Sequence, residues 1–289
     1  MNPKCSERGE AEMREIRILT SILLVAVFGC ISAFGQAHTE HQAPTSAPSQ
    51  PRVSVVGYLD GREPSFLDIL PPYPEFNSMQ DEADVTTLWK WQHPEGSRWQ
   101  LANTDEEMSY NRFSEAFGTE INSTATPLLV HLLGRVVRDV QSVAFNAKSV
   151  YNRPRPFQRF QLAHVCGTDK PPAPEIPLKG GSSYPSGHTS FGWATVLILA
   201  DVAPEHAQQL LARGQEYGES RVVCAMHYPS DVVGGELVAT SVVARLHADA
   251  EFNRDLDCAK QEHTAQLKPN EKLSSACEAR KVQFISPQP

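Results

Sequence analysis

Apolar residues recur at three- and four-residue spacings over Leu129, Leu132, Leu133, Val136, Val137, Val140, Val143 and Ala144, which predicts a helix over 128–148, the clearest in the chain. A second stripe, Val232, Val233, Leu237, Val238, Val242, Val243 and Leu246, predicts a helix from just after Pro229 to about Phe252. Pro229 suits its first turn, where a missing N–H costs nothing. Between the two, helices are expected from about His188 to Val202 and from about Pro204 to Tyr217 or beyond. Upstream, Pro71, Pro72 and Pro74 mark extended chain before a short helix over Asp81 to Trp91. Thr104 followed by Glu107 has capping-box spacing and places a helix start there, running to about Phe117. Residues 157–183, with Pro171, Pro172, Pro174, Pro177, Gly180 and Gly181, form a long irregular connection of the sort that is usually functional or disordered. No alternating strand run and no repeat is visible, so the fold class is all-α, a single-domain helical bundle.

The ends read differently. Arg14 and Arg17 precede an apolar run from Ile18 to Ile31, followed by small residues ending at Ala37. That is an export signal with cleavage after Ala37, and the run is too short for a comfortable membrane span. Met13 is an alternative start. Cys30 lies in a loose lipoprotein-type box, a minor alternative to cleavage after Ala37. The expected division is 1–37 signal peptide, 38–68 flexible Pro/Ser-rich leader, 69–257 principal domain and 258–289 C-terminal tail. His38 and His41 belong to the leader and read as solvated residues, not metal ligands. The expected location is periplasmic or secreted. Cys166, Cys224, Cys258 and Cys277 remain after removal of the signal, an even number that in an exported protein implies two disulfides. Three pairings are open; Cys166–Cys224 with Cys258–Cys277 is favoured, the second stapling the tail. No Cys-x-x-Cys is present, which argues against a metal or redox site.

The chain has 289 residues and a formal net charge of -8, so its surface offers no footprint for nucleic acid. Asp81-Glu82-Ala83-Asp84 spells a helicase box, but no Gly-x-x-x-x-Gly-Lys phosphate loop accompanies it. Any anion site must therefore concentrate positive charge locally. Three stretches can do so: Lys148 to Pro156, Pro185 to His188, and Ser220 to Asp231. Arg155 and Arg221 carry forked donors that match phosphate oxygens, and Lys148 offers a point charge. Pro154 and Pro156 stiffen the chain around Arg155. Ser186 and Gly187 precede an apolar helix whose N-terminus presents free N–H groups. His227, four residues before Asp231, forms a pair in which the carboxylate fixes the tautomer of a nucleophilic imidazole. His188 is left to protonate a departing alcohol. Each residue alone is more commonly a surface charge, a helix cap or a structural histidine; the set of three stretches is what points to phosphoryl transfer.

These stretches resemble the signature of the type 2 phosphatidic acid phosphatase superfamily, Lys-x6-Arg-Pro, Pro-Ser-Gly-His and Ser-Arg-x5-His-x3-Asp, met at every fixed position by Lys148, Arg155, Pro156, Pro185 to His188, Ser220, Arg221, His227 and Asp231. Within it, Asn152 to Phe157, Ser183 to Thr189 and Leu70-Pro71-Pro72 are similar to the class A bacterial non-specific acid phosphatases, over roughly residues 69–250. The resemblance implies an all-α fold of the acid phosphatase and vanadium haloperoxidase type. It implies that His227 is phosphorylated with support from Asp231, that His188 protonates the leaving group, and that Lys148, Arg155, Ser186, Gly187 and Arg221 hold phosphate. No metal and no cofactor are implied. Ser182 stands where relatives often have glycine, and Tyr228 where many have tryptophan, which puts substrate preference in question at the pocket wall. The expected activity is metal-independent hydrolysis of small phosphomonoesters at acid pH, with transfer to alcohols as a side reaction. A homo-oligomer is expected, with no stable membrane span. A vanadium-dependent haloperoxidase, using vanadate as cofactor, is the alternative enzyme. An exported phosphate-binding protein is the non-catalytic alternative, though a binder has no need of both His188 and His227.

Overall fold

The computed structural model describes residues 55–92, 96–162, 164–167, 181–268 and 270–285, with side chains to 281. The predicted signal, its cleavage point, the Cys30 box, His38 and His41 lie outside the described residues, as do Pro171, Pro172, Pro174, Pro177 and Gly180. The described residues belong to one compact unit. They form eleven helices and no strand: α1 Phe66–Ile69, α2 Met79–Lys90, α3 Ser97–Thr104, α4 Ser114–Phe117, α5 Pro127–Tyr151, α6 Pro156–Arg159, α7 Gly187–Val202, α8 Ala207–Val223, α9 Pro229–Leu246, α10 Ala250–Leu267 and α11 Ser275–Ile285. Single 3-10 turns over Tyr110–Phe113 and Pro204–His206 lead into α4 and α8. None of the helices among the described residues is long and apolar enough to cross a membrane.

Helix α7 is the hub and packs against α5, α8 and α9. Close approach demands small residues. A Cβ on Gly192 of α7 would meet the Tyr217 ring of α8 at 2.4 Å, and one on Gly235 of α9 would meet the Ser186 carbonyl at 2.6 Å. The second contact sets the start of α9 against the start of α7. Leu129, Leu132, Leu133, Val136, Val140, Val143 and Ala144 of α5 are buried in the central core, as their periodicity predicts. Thr126 makes no side-chain cap for α5. Glu262 of α10 does this work instead, accepting from the Leu128 and Leu129 N–H groups at 3.2 and 3.0 Å. A carboxylate at a helix N-terminus stabilises by about 0.3–1 kcal/mol, more where buried.

Two expected boundaries differ from those observed. Thr104 does not open a helix; it closes α3, its hydroxyl donating back to the Leu101 carbonyl at 2.8 Å. The C-cap residue Asp105 is instead held by Arg112 and Arg213. The helix expected to reach Phe252 stops at Leu246, because the Asp249 side chain accepts from the Glu251 and Phe252 N–H groups and starts a new helix, α10. Helix α10 runs through residue 257, and α11 packs on α5. The disulfides Cys166–Cys224 and Cys258–Cys277 both form, the second joining α10 to α11. The short helix α6, residues 156–159, overlaps the start of the expected irregular connection 157–183.

Candidate active site

Lys148 lies in the last turn of α5. The helix ends because Asn152 takes a left-handed conformation (φ 46°) and donates its N–H to the Lys148 carbonyl at 3.1 Å. The chain then runs extended to Pro156, so Arg153 and Arg155 share a side. Lys148 Nζ is buried and donates to the Ser182 carbonyl at 2.7 Å. This brings the first stretch to the approach of the second.

Ser186 is the N-cap of α7. Its hydroxyl oxygen accepts from the Thr189 N–H at 3.2 Å and from the Thr189 hydroxyl at 2.9 Å, leaving its own proton to donate. Gly187 packs beside Lys148: a Cβ there would sit 3.7 Å from Lys148 Cε. His188 follows, with Nε2 at 2.9 Å from the Glu106 carbonyl oxygen. A carbonyl only accepts, so Nε2 carries the proton and Nδ1 the lone pair.

The third stretch spans the end of α8 and the start of α9. Arg221 is in the last turn of α8, and its carbonyl accepts from the Met226 and His227 N–H groups at 3.0 and 3.2 Å, closing a tight turn. The Cys166–Cys224 disulfide pins that turn from outside. Asp231 lies in the first turn of α9. Its carbonyl accepts from the Ser186 N–H at 2.9 Å, which joins the second and third stretches. His227 is 1% exposed. Its Nδ1 is 3.4 Å from Asp231 Oδ2 and 3.4 Å from Ser183 Oγ, and its Nε2 is 3.1 Å from an Arg155 terminal nitrogen. A guanidinium only donates, so Nε2 must hold the lone pair and Nδ1 the proton. The nitrogen that holds the lone pair therefore faces Arg155.

The electrostatics divide the cations of this region into two kinds. Among the described residues, Lys148, Arg155 and Arg221 are in no ion pair. Nε of Arg155, and Nε and one terminal nitrogen of Arg221, are buried without a partner. Burial, then repulsion from Arg155, lowers the Lys148 pKa to about 7. Burial, then repulsion from Arg221, lowers that of Arg155 to about 10. Burial likewise lowers that of Arg221. The same three cations act with burial on the imidazoles. His188 is pushed down to about 3 and His227 well below its ordinary value, with His188 itself among the repelling charges. The three stretches thus meet in one cluster of cations that, among the described residues, form no ion pair, and burial and these cations hold the His227 pKa well below its ordinary value.

A direct consequence concerns anion binding. Lys148 is charged below about pH 7 and neutral above it, and a bound anion raises its pKa by pairing with it. Sulfate, which does not change charge in this range, should therefore bind with constant Lys148 assistance below pH 7 and weaken above it, by up to about tenfold per pH unit. Calorimetry should show this slope in the native protein and its absence in Lys148→Arg. A native profile flat from pH 7 to 9 would remove Lys148 from the pocket.

Lys148, Arg155, Ser186, Gly187, His188, Arg221, His227 and Asp231 are brought together here. Ser220 is not in the anion pocket: its hydroxyl donates to Asp105 at 2.7 Å and anchors α8 to the end of α3. Tyr228 is fully buried among Leu88, Phe157, Leu162, Val165 and Ala225 and does not line an open wall. The sequence reading missed four participants. Glu106 orients His188 through its carbonyl. Ser183 donates to Asp231 Oδ2 beside His227. Arg153 and Asp84 form a buried pair next to Asp231, at 3.0 Å. Only Arg153 carried a usable signal, its two-residue spacing from Arg155 in extended chain.

Residues 126–255 match the model of the PAP2 superfamily. An acid phosphatase of Zymomonas mobilis subsp. mobilis is 33% identical over 259 residues, covering 86% of this chain and 91% of that protein. A non-specific acid phosphatase of Providencia stuartii is 34% identical over 245 residues, covering 83% and 96%. One from Salmonella typhimurium is 35% identical over 199 residues, covering 67% and 78%.

Proposed function

This chain belongs to the PAP2 superfamily and to its acid phosphatases, and from that premise we propose that it hydrolyses phosphate monoesters without a metal ion, through a phosphohistidine on His227. The observation that carries the reading is the forced tautomer of His227, whose Nε2 lone pair is aimed at Arg155 inside the cluster of Lys148, Arg155 and Arg221. The relatives' names favour a phosphatase over a haloperoxidase.

At acid pH an ester arrives largely as its monoanion, carrying one proton, since the second pKa of a phosphomonoester is about 6. Once bound, its charge offsets the three cations that hold His188 down, and Nδ1 of His188 takes that proton. Nε2 of His227 attacks phosphorus in line with the ester oxygen. The P–O bond breaks, its electron pair goes to that oxygen, and the Nδ1 proton of His188 follows. Asp231 opposite Nδ1 of His227 stabilises the resulting phospho-imidazolium. Water then attacks, His188 takes its proton, the P–N bond breaks, and the pair returns to Nε2. An alcohol in place of water gives phosphate transfer. Lys148, Arg155, Arg221 and the Ser186 hydroxyl stabilise the equatorial oxygens throughout. Export to the periplasm fits the N-terminal pattern and the two disulfides.

Acid-sensitive, base-stable labelling should be trapped when the enzyme is mixed with radiolabelled p-nitrophenyl phosphate in EDTA and quenched in alkali. Peptide mapping should place the label at His227. A stoichiometric label elsewhere, or turnover abolished by EDTA, would overturn the reading.

A further inference from the structure

Arg153 does not behave as the other cations of the site do. It is fully buried, and both of its terminal nitrogens are held by carboxylates and a hydroxyl, while Nε is buried without a partner. One terminal nitrogen donates to Asp231 Oδ1 and to the Ser230 hydroxyl, both at 2.7 Å. The other donates to Asp84 Oδ2 at 3.0 Å. The Tyr228 ring lies 4.0 Å from the guanidinium carbon and the Tyr73 ring 5.2 Å. Its main chain is fixed too. The Arg153 N–H donates to Ser182 Oγ at 3.0 Å, and its carbonyl accepts from the Ser183 N–H at 2.7 Å. The side-chain contacts take up both terminal nitrogens, the fork with which a guanidinium grips an oxyanion. Asp231 and Asp84 raise its pKa, where the three pocket cations are lowered.

Asp84 binds the arrangement to α2. Its Oδ1 accepts from the Ser230 N–H at 3.0 Å, and its Oδ2 accepts from the Ser230 hydroxyl. Asp84 thus grips both Arg153 and the residue next to Asp231. A continuous line results, from Asp84 through Arg153 and Asp231 to His227.

We propose that Arg153, braced by Asp84, is the positioning residue for the His227–Asp231 pair. By occupying Oδ1 it turns Oδ2 toward Nδ1 of His227 and sets a cation against the carboxylate. The inference rests on His227 as the nucleophile. The physical need is clear from burial. Asp231 is 0% exposed, and a buried carboxylate that loses its cation takes up a proton. A protonated Asp231 no longer sets a negative charge opposite Nδ1. The imidazolium that forms when Nε2 attacks then has no counter-charge, and the step slows. The Tyr228 N–H, at 2.8 Å from Oδ2, and the Ser183 hydroxyl would still hold the side chain in place. Orientation would then survive while the protonation state fails.

The test is a pH profile of kcat with KM measured alongside. Partners one shell out from a reacting group are worth about 10- to 100-fold in rate. Arg153→Met should lower kcat by that factor, leave KM within about threefold, and move the acid limb of kcat to higher pH, because Asp231 protonates sooner. Arg153→Lys should recover part of kcat and return the limb toward its native position. Asp84→Asn keeps the guanidinium and serves if Arg153→Met does not fold; it should shift the limb the same way by a smaller amount. An acid limb unmoved in the folded variants, or a raised KM with kcat preserved, would overturn the proposal. Trapping separates the two readings. If the native enzyme is labelled at His227 while Arg153→Lys and Asp84→Asn label at the native rate, the positioning role fails alone. If the native enzyme gives no label at His227, the nucleophile assignment has failed.

Discussion

Replacing His227 with alanine should lower kcat on the order of 10^5-fold, the loss seen when a nucleophile that works as one unit with its partners is removed. Affinity for inorganic phosphate should change little, since Lys148, Arg155 and Arg221 remain. The fold should survive as well. Arg155 keeps its bond to the Met226 carbonyl at 3.0 Å, and Ser183 keeps Asp231, so no charged group is orphaned by the loss of the ring. The truncation opens a space the size of an imidazole beside Arg155. Exogenous imidazole should therefore restore part of the turnover in a saturable way, with its own pH dependence. Turnover by His227→Ala within tenfold of the native rate, in preparations free of wild-type protein, would rule out the phosphohistidine route.

The pocket can be read as a contest between two charge economies within a few ångströms. Lys148, Arg155 and Arg221 have lowered pKa values because burial outweighs the attraction of Asp231 on the first two and of Glu106 and Asp105 on the third. Arg153 and Arg159 have raised ones because carboxylates pair with them. Arg159 donates to both oxygens of Asp81 at 2.6 and 2.7 Å, fixing α6 to α2. Cations of the first kind are costly to bury and only make sense where an anion arrives. Those of the second kind are mortar. Sequence spacing does not distinguish them, since Arg153 and Arg155 stand two residues apart.

That limit explains what was legible. Helix α5 announced itself because its buried stripe is long and regular, and the end of α9 was misplaced because the apolar pattern continues past Leu246 into Phe252 while the interruption is polar and local, a cap by Asp249. Helix α3 was missed because its eight residues bury only Ala102 and so leave almost no periodic signal. At the site, residues that touch an anion have a chemistry that demands their type, so Lys148, Arg155, Arg221, His188 and His227 could be picked out with Asp231. Residues that act through others do not. Glu106 contributes a backbone carbonyl, which any residue could supply. Asp84 contributes across 147 positions of chain from Asp231, a pairing that only the packing of α2 against α9 creates.

His188→Ala should separate substrates by their leaving groups. In phosphorylation of His227 the departing oxygen needs a proton in proportion to its basicity. An alkyl phosphate must receive one; p-nitrophenolate departs without it. General acid catalysis is worth about 10^2- to 10^4-fold, so kcat/KM for an alkyl phosphate should fall by about 10^3-fold, and that for p-nitrophenyl phosphate by less than about tenfold. The second half of the reaction adds a further sign. The same ring must deprotonate the attacking water, so His188→Ala should release p-nitrophenol in a burst and then stall with labelled His227. Alkyl phosphates should give no burst, because the first step limits them. The acid arm of the kcat/KM profile should respond too. The ring is held down to about 3 in the free protein by burial and by Arg221, so in the native enzyme the proton must come with the monoanionic ester. Without the ring, that proton has no relay to the leaving oxygen, and the preference for the monoanion should vanish for alkyl substrates. Equal losses for both substrate classes would instead place His188 among the groups that bind phosphate, because an electrostatic contact made to the equatorial oxygens does not sense which alcohol departs.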